Sequence, residues 1–265
     1  MSFQPIIVGS GLVGWQFLQS TQERQKEVFN ASPLLQRDTD YFAETIGSIS
    51  TAEDLVADRR LLRVALGAFG LQDDIDSKFF VRTVLEDGVT DRTALANRLA
   101  DERYKSLART FEFDNPLGPR TSSPGFADEI VSRFRQQSFE IAVGERDQSL
   151  RLALNFERGI DEISNSGSSD AAQWFRVMGT PPLRTVLETA LGLPKSFGQL
   201  DIDVQKATFQ EKAGDRFGAK TVSDLLDEDV MKKVVQTYLL QDQIANFQAN
   251  SSAQVAVTLL QSMAR

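Results

Sequence analysis

Three glycines and two pairs of aspartates hold the most chemical promise in this chain. Gly9, Gly11 and Gly14 stand at the spacing G-x-G-x-x-G behind the apolar run Ile6-Ile7-Val8, the order of a turn that lays backbone N–H groups against a pyrophosphate. Asp74-Ile75-Asp76 and Asp201-Ile202-Asp203 offer alternate carboxylates of the kind that converge on a hard cation such as Ca²⁺. Each pattern needs particular elements around it before it can act.

A dinucleotide site requires a strand before the glycines, a helix after them, and a second strand ending in an acid about 20 residues on. The helix has support in the sequence, but that second strand has none. WQFLQSTQERQKEVFNAS and PLLQRDTDYFAETIGSI both carry helical spacing with no β-branched run between them. The triplet is therefore expected to sit in an N-terminal arm anchored by Trp15, Phe17 and Leu18. A Ca²⁺ loop opening at Asp74 would place Phe79 where the turn needs glycine and Leu85 where a bidentate glutamate belongs. The aspartates are instead expected to begin the following helices, where carboxylates cap free N–H groups.

Composition narrows the remaining chemistry. The chain has no histidine and no cysteine, which excludes Ser-His-Asp and Cys-His nucleophilic sites and histidine- or thiolate-held zinc. Acid pairs such as Glu86-Asp87 and Asp227-Glu228-Asp229 are adjacent on helices and point in different directions. The expectation is no catalytic residue, no cofactor and no metal, with a carboxylate-based enzyme or metal-binding module as the alternative. A net charge of −8 and a pI near 4.8 argue against nucleic-acid binding, which relies on clustered Lys and Arg. Arg59-Arg60 and Arg133/Arg135 are expected on solvated helix faces. No apolar run reaches the length of a membrane span, and no charged-then-apolar leader opens the chain. Asn30-Ala31-Ser32 and Asn250-Ser251-Ser252 match the glycosylation sequon but carry no weight without a secretory context.

The positioning elements read as helices almost throughout. In RRLLRVALGAFGL, Leu62, Ala65, Leu66 and Phe69 recur at i, i+3, i+4 and i+7. In PLRTVLETALGL, Leu183, Val186, Leu187, Ala190 and Leu191 draw the same stripe. An Asp-Ile-Asp triplet follows each. Phe42, Ile46 and Ile49 pair with Phe156, Ile160 and Ile163, and Leu99, Tyr104, Lys105, Leu107 and Phe111 pair with Leu226, Met231, Lys232, Val234 and Tyr238. The fold expected is all-α: two divergent copies of a multi-helix unit packed together, with an extended N-terminal arm.

EFDNPLGPRTSSPGF holds three of the eight prolines, a density no continuous helix survives. The expected organisation is an arm at 1–18, a first helical repeat at 19–113, a linker at 114–126, a second repeat at 127–249 and a C-terminal helical tail at 250–265. Ile244, Phe247, Val255, Leu259 and Leu260 give the end of the chain an apolar face, expected to dock on the protein's own core. Trp15, Phe17 and Trp174 are candidate partner contacts, because tryptophan lies near loops here and recurs at contact hot spots; a packed interior position is the competing reading for both tryptophans.

Taken in order, GLVGWQFLQST, RDTDYF, DLVADRRLLRVALGAFGL, LANRLADERYKSLARTFEF, LRLALNFER and WFRVMGTPPLRTVLETALGLP resemble an alphaproteobacterial family known as domain of unknown function 1217. The resemblance runs from about Gly11 to about Tyr238. It implies a role in the flagellum, since members tend to be encoded among flagellar genes, and it carries no reaction and no catalytic residues. On this reading the chain is a non-catalytic structural or assembly protein that binds other, flagellar proteins, cytoplasmic or flagellum-associated in location; an exported axial component is the alternative.

Overall fold

The computed structural model describes the backbone of residues 4–263 and the side chains of residues 4–248. Among the described residues there are thirteen α-helices and no strand, so the fold is all-α. None of the helices is long and apolar enough to cross a membrane among the described residues. The chain divides into two compact units, one of Met1–Ile7 with Leu18–Arg146 and one of Val8–Phe17 with Asp147–Arg265. α1 (Gly11–Asn30) contributes its first turns to the second unit and the rest to the first.

In the first unit, α2 (Pro33–Thr45), α3 (Ala52–Ala57), α4 (Arg59–Gly67), α5 (Lys78–Asp87), α6 (Leu95–Arg98), α7 (Glu102–Phe111) and α8 (Phe126–Gly144) follow in order. α4 is the central member and packs against α2, α3 and α8. It is amphipathic, with Arg59, Arg60 and Arg63 on one face and Leu61, Leu62, Val64, Ala65 and Leu66 buried on a broad opposite one. Asp58 starts it by accepting from the N–H groups of Arg60 (2.8 Å) and Leu61 (3.2 Å). Near its end Gly67 gives α8 room: a β-carbon there would lie 2.6 Å from the Phe134 ring.

The second unit continues with α9 (Gln148–Ser164), α10 (Asp170–Met178), α11 (Pro181–Leu191), α12 (Ile202–Phe217) and α13 (Glu228–Met263). α11 opens on proline, whose fixed φ suits a first helical turn, and closes at Gly192 in the left-handed region, φ +67°. Its stripe Leu183, Val186, Leu187, Ala190 and Leu191 is buried against α9 and α13. α9 meets α11 closely at Gly159, where a β-carbon would lie 2.6 Å from Leu183 Cδ2.

Three expectations about organisation need adjustment. Of segment 1–18, the described residues 4–10 carry no helix, and beyond them Trp15 and Leu18 are buried on α1. Ile6 is held within the first unit by Gln25, whose amide donates to the Ile6 carbonyl (3.0 Å) and accepts from the Ile6 N–H (2.8 Å). Segment 114–126 lies inside the first unit, and the division comes after Arg146. Prolines do interrupt the helices there, but Thr121 donates to the Ile49 carbonyl (2.6 Å) and Phe126 packs edge-on against Phe111, 5.1 Å between centroids. Finally, residue 250 starts no separate tail, since α13 runs through it unbroken with neither glycine nor proline in its way.

Candidate functional site

The second unit carries a cleft of about 710 Å³, bordered by Ser10 and Gly11, by the start of α9 and by α13 from Leu240 to Gln248. Asp147 lines it and caps α9, accepting from the N–H groups of Ser149 (2.9 Å) and Leu150 (3.2 Å). That cap aims the Ser149 hydroxyl at α13, where it donates to Asp242 Oδ2 at 2.5 Å. The same oxygen accepts from Asn246 Nδ2 at 2.9 Å. One turn back on α13, Tyr238 is 1% exposed. Burial and then the Asp242 charge hold its phenol well above its ordinary pKa. The arrangement ties helix to helix: the carboxylate is already shared between two donors.

α13 has two apolar faces. Val234, Val235, Tyr238 and Leu239 are buried on one side. Leu240, Ile244 and Phe247 recur at i, i+4 and i+7 on the other, half a turn of the helix away, and are 46%, 50% and 76% exposed. Val8 and Val13 of the same unit are exposed too. No charged residue occurs from Met1 to Gln22 or from Gln243 to Ala264. All charged side chains except Arg265 therefore lie between those two stretches.

The glycine triplet has a conformational purpose. Gly9 and Gly11 have φ of +83° and +54°, the left-handed region where a β-carbon is costly, and the Gln243 side chain fills the space a β-carbon on Gly11 would take. The turn leads into α1, and the described residues 4–8 before it form no strand, so it is the entry to a helix.

The carboxylate triplets are committed to the fold. Asp74 accepts from the Tyr104 hydroxyl at 2.6 Å and Asp76 pairs with Arg59 at 2.5 Å. They precede α5 without capping it, because Ser77 holds that position. Asp201 does cap α12, accepting from the Asp203 N–H at 2.9 Å, and Asp203 faces Lys206 at 3.6 Å. No group of three acids among the described residues is placed to hold a metal ion.

The expected contact residues are mostly enclosed. Trp15 is 6% exposed and Trp174 is fully buried, stacked on Phe209 with centroids 6.4 Å apart; Phe17 is half-buried. These rings have large apolar areas and are drawn into the interior, so the two tryptophans take the packed interior position weighed against the contact role and present no surface to a partner. Ile244 and Phe247, expected on the protein's own core, are exposed. The side chains of Val255, Leu259 and Leu260 lie outside the described residues. Sequence reasoning passed over Leu240, although a second stripe opposite Val234 and Tyr238 is visible once α13 is read at 100° per residue.

Arginines expected in solvent make specific contacts. Arg60 lies 3.8 Å from the centroid of the Tyr41 ring, and the Tyr41 hydroxyl donates to Asp58 at 2.5 Å. Arg133 pairs with Glu129 at 3.4 Å, and Arg135 donates to Thr39 Oγ1 at 3.0 Å.

An all-α chain of two helical units defines the class. Residues 68–231 match the family described as protein of unknown function (DUF1217), and the chain belongs to that family. A structural-genomics crystal structure of a protein from Agrobacterium tumefaciens is similar, with 28% sequence identity and a TM-score of 0.73 over 92% of this chain and 99% of that one. No curated protein matches.

Proposed function

We propose that the protein is a non-catalytic structural or assembly component of the bacterial flagellum that works by binding other proteins. The flagellar assignment rests on the resemblance of the ordered segments to an alphaproteobacterial family encoded among flagellar genes. The binding role rests on one observation: Leu240, Ile244 and Phe247 form an exposed apolar stripe on α13, which carries no charge from Gln243 to Met263. Apolar side chains recurring at helical spacing and open to water are the anchors a partner helix seeks. The neighbouring carboxylates support the same reading, since Asp147 and Asp242 are held by cap and tie.

The test is a count of flagellar filaments by electron microscopy on cells carrying an in-frame deletion of the gene, beside a complemented strain. Loss of filaments that complementation restores supports an assembly role. Normal filaments on paralysed cells move the role to the motor, and normal filaments on swimming cells remove the flagellar reading.

A further inference from the structure

We infer that the exposed stripe of α13 is a self-association seam whose occupant is the same stripe on a second copy of this chain. The inference rests on reading the stripe as a contact face and names what covers it.

The residues beside the stripe point to that occupant. Leu240, Ile244 and Phe247 follow the alternating four-and-three spacing of a helix-pairing seam. By helical periodicity the positions flanking them are Gln236 and Gln243 on one side and Gln241 and Gln248 on the other. Seams that choose a different partner place charges at such flanks, of sign opposite to the partner's. A glutamine amide is both donor and acceptor, so a glutamine border is complementary to itself. A two-fold contact sets the same patch on both copies and thus requires self-complementarity.

Charge elsewhere on the chain reinforces the choice. The molecule carries −8, so two copies repel across most of their surface. The stretch from Gln243 to Ala264 is free of that repulsion. Upstream, the stripe stops at Lys233, one heptad before Leu240. The apolar part of the seam runs from Leu240 to Phe247, about 10 Å of helix, and the next positions of the same register are the uncharged Ser251 and Gln254.

Sedimentation equilibrium on the full chain tests the inference, from about 1 µM to about 100 µM and at low and high salt. The expected result is a concentration-dependent dimer that high salt does not weaken, because an apolar seam gains nothing from ion pairs. Phe247→Glu and Ile244→Glu should each raise the dimer Kd at least about tenfold, with helicity unchanged and with the melting temperature lowered only at concentrations where the wild type is dimeric. Phe79→Glu, at the 81% exposed Phe79 of the first unit, should leave the dimer intact. A wild-type chain that stays monomeric throughout overturns the inference, as does a dimer indifferent to the α13 substitutions. Filament counts on cells expressing Phe247→Glu separate the two readings: lost filaments with a monomeric wild type keep the contact face and assign it to another protein, whereas a monomeric wild type with normal filaments in the variant overturns both.

Discussion

The Gln243 side chain occupies the space that a β-carbon on Gly11 would need. α1 can therefore begin beside α13 only with glycine at its first position, and φ of +54° there adds a second demand. Gly11→Ala should lower stability by about 1 kcal/mol or more from the backbone alone. Gln243→Ala should relieve only the steric part, so melting curves of the two single variants and the double variant will show partial rescue. Full rescue would mean that the backbone conformation costs nothing.

Gly159 poses the same question inside the core. Its missing β-carbon admits Leu183 where α9 meets α11, so Gly159→Ala overpacks a buried contact. A loss of about 1–3 kcal/mol in denaturant unfolding is expected. Combining it with Leu183→Ala should cost less than the sum of the two, since the second change empties the space the first one needs. Strict additivity would show that the two residues do not share the space.

Trp174 is fully buried, with no hydrogen-bond partner for its indole nitrogen. Trp174→Ala should cost about 3–5 kcal/mol. Trp174→Phe should cost clearly less, because it keeps most of the stacking on Phe209 and deletes an unpaired donor. Equal losses for the two variants in chemical denaturation would indicate that the donor is satisfied after all.

The hydrogen bond from Tyr41 to Asp58 gives a pH dependence whose sign follows from structure. Burial opposes ionisation of Asp58, but the bonds from Tyr41 and from the Leu61 and Arg60 N–H groups outweigh it, leaving the carboxyl below its ordinary value of 3.8. A depressed folded pKa means that this contribution to stability is complete above the ordinary value and disappears as pH falls through the folded one. Asp58→Asn should thus lower the melting temperature at pH 7, and the gap to wild type should narrow on acidification to about pH 2. A gap that stays constant would show that the charge on Asp58 contributes nothing.

What the sequence disclosed, and what it withheld, divides by distance along the chain. The stripes Leu62-Ala65-Leu66-Phe69 and Leu183-Val186-Leu187-Ala190 were legible because a 3.6-residue period is local, and both are buried as expected. The cap at Asp201 was legible because its partner is two residues away. Asp74 was not, because what engages it is Tyr104, 30 residues on. Prolines correctly marked 114–126 as a break in the helices, yet the bond from Thr121 to Ile49 that keeps the segment inside the first unit spans 72 residues. Gly11 resembled part of a phosphate turn for the same reason: the side chain that explains it sits at the far end of the sequence. The tryptophans show a different limit, since burial and contact both favour a large ring and only the surrounding helices decide between them.

The composition of the second unit fixes an order of events during synthesis. It takes Val8–Phe17 from near the start of the chain and everything from Asp147 onward from the other end. A ribosome adding about 5–20 residues per second releases Gly11 roughly 10–50 s before Gln243 exists. The first turns of α1 therefore emerge ahead of the first unit's helices and wait, while that unit can gather its own helices from Leu18 to Arg146. More than two hundred residues must be added after Gly11 before those turns meet α13, and an early segment is completed by one made long after it.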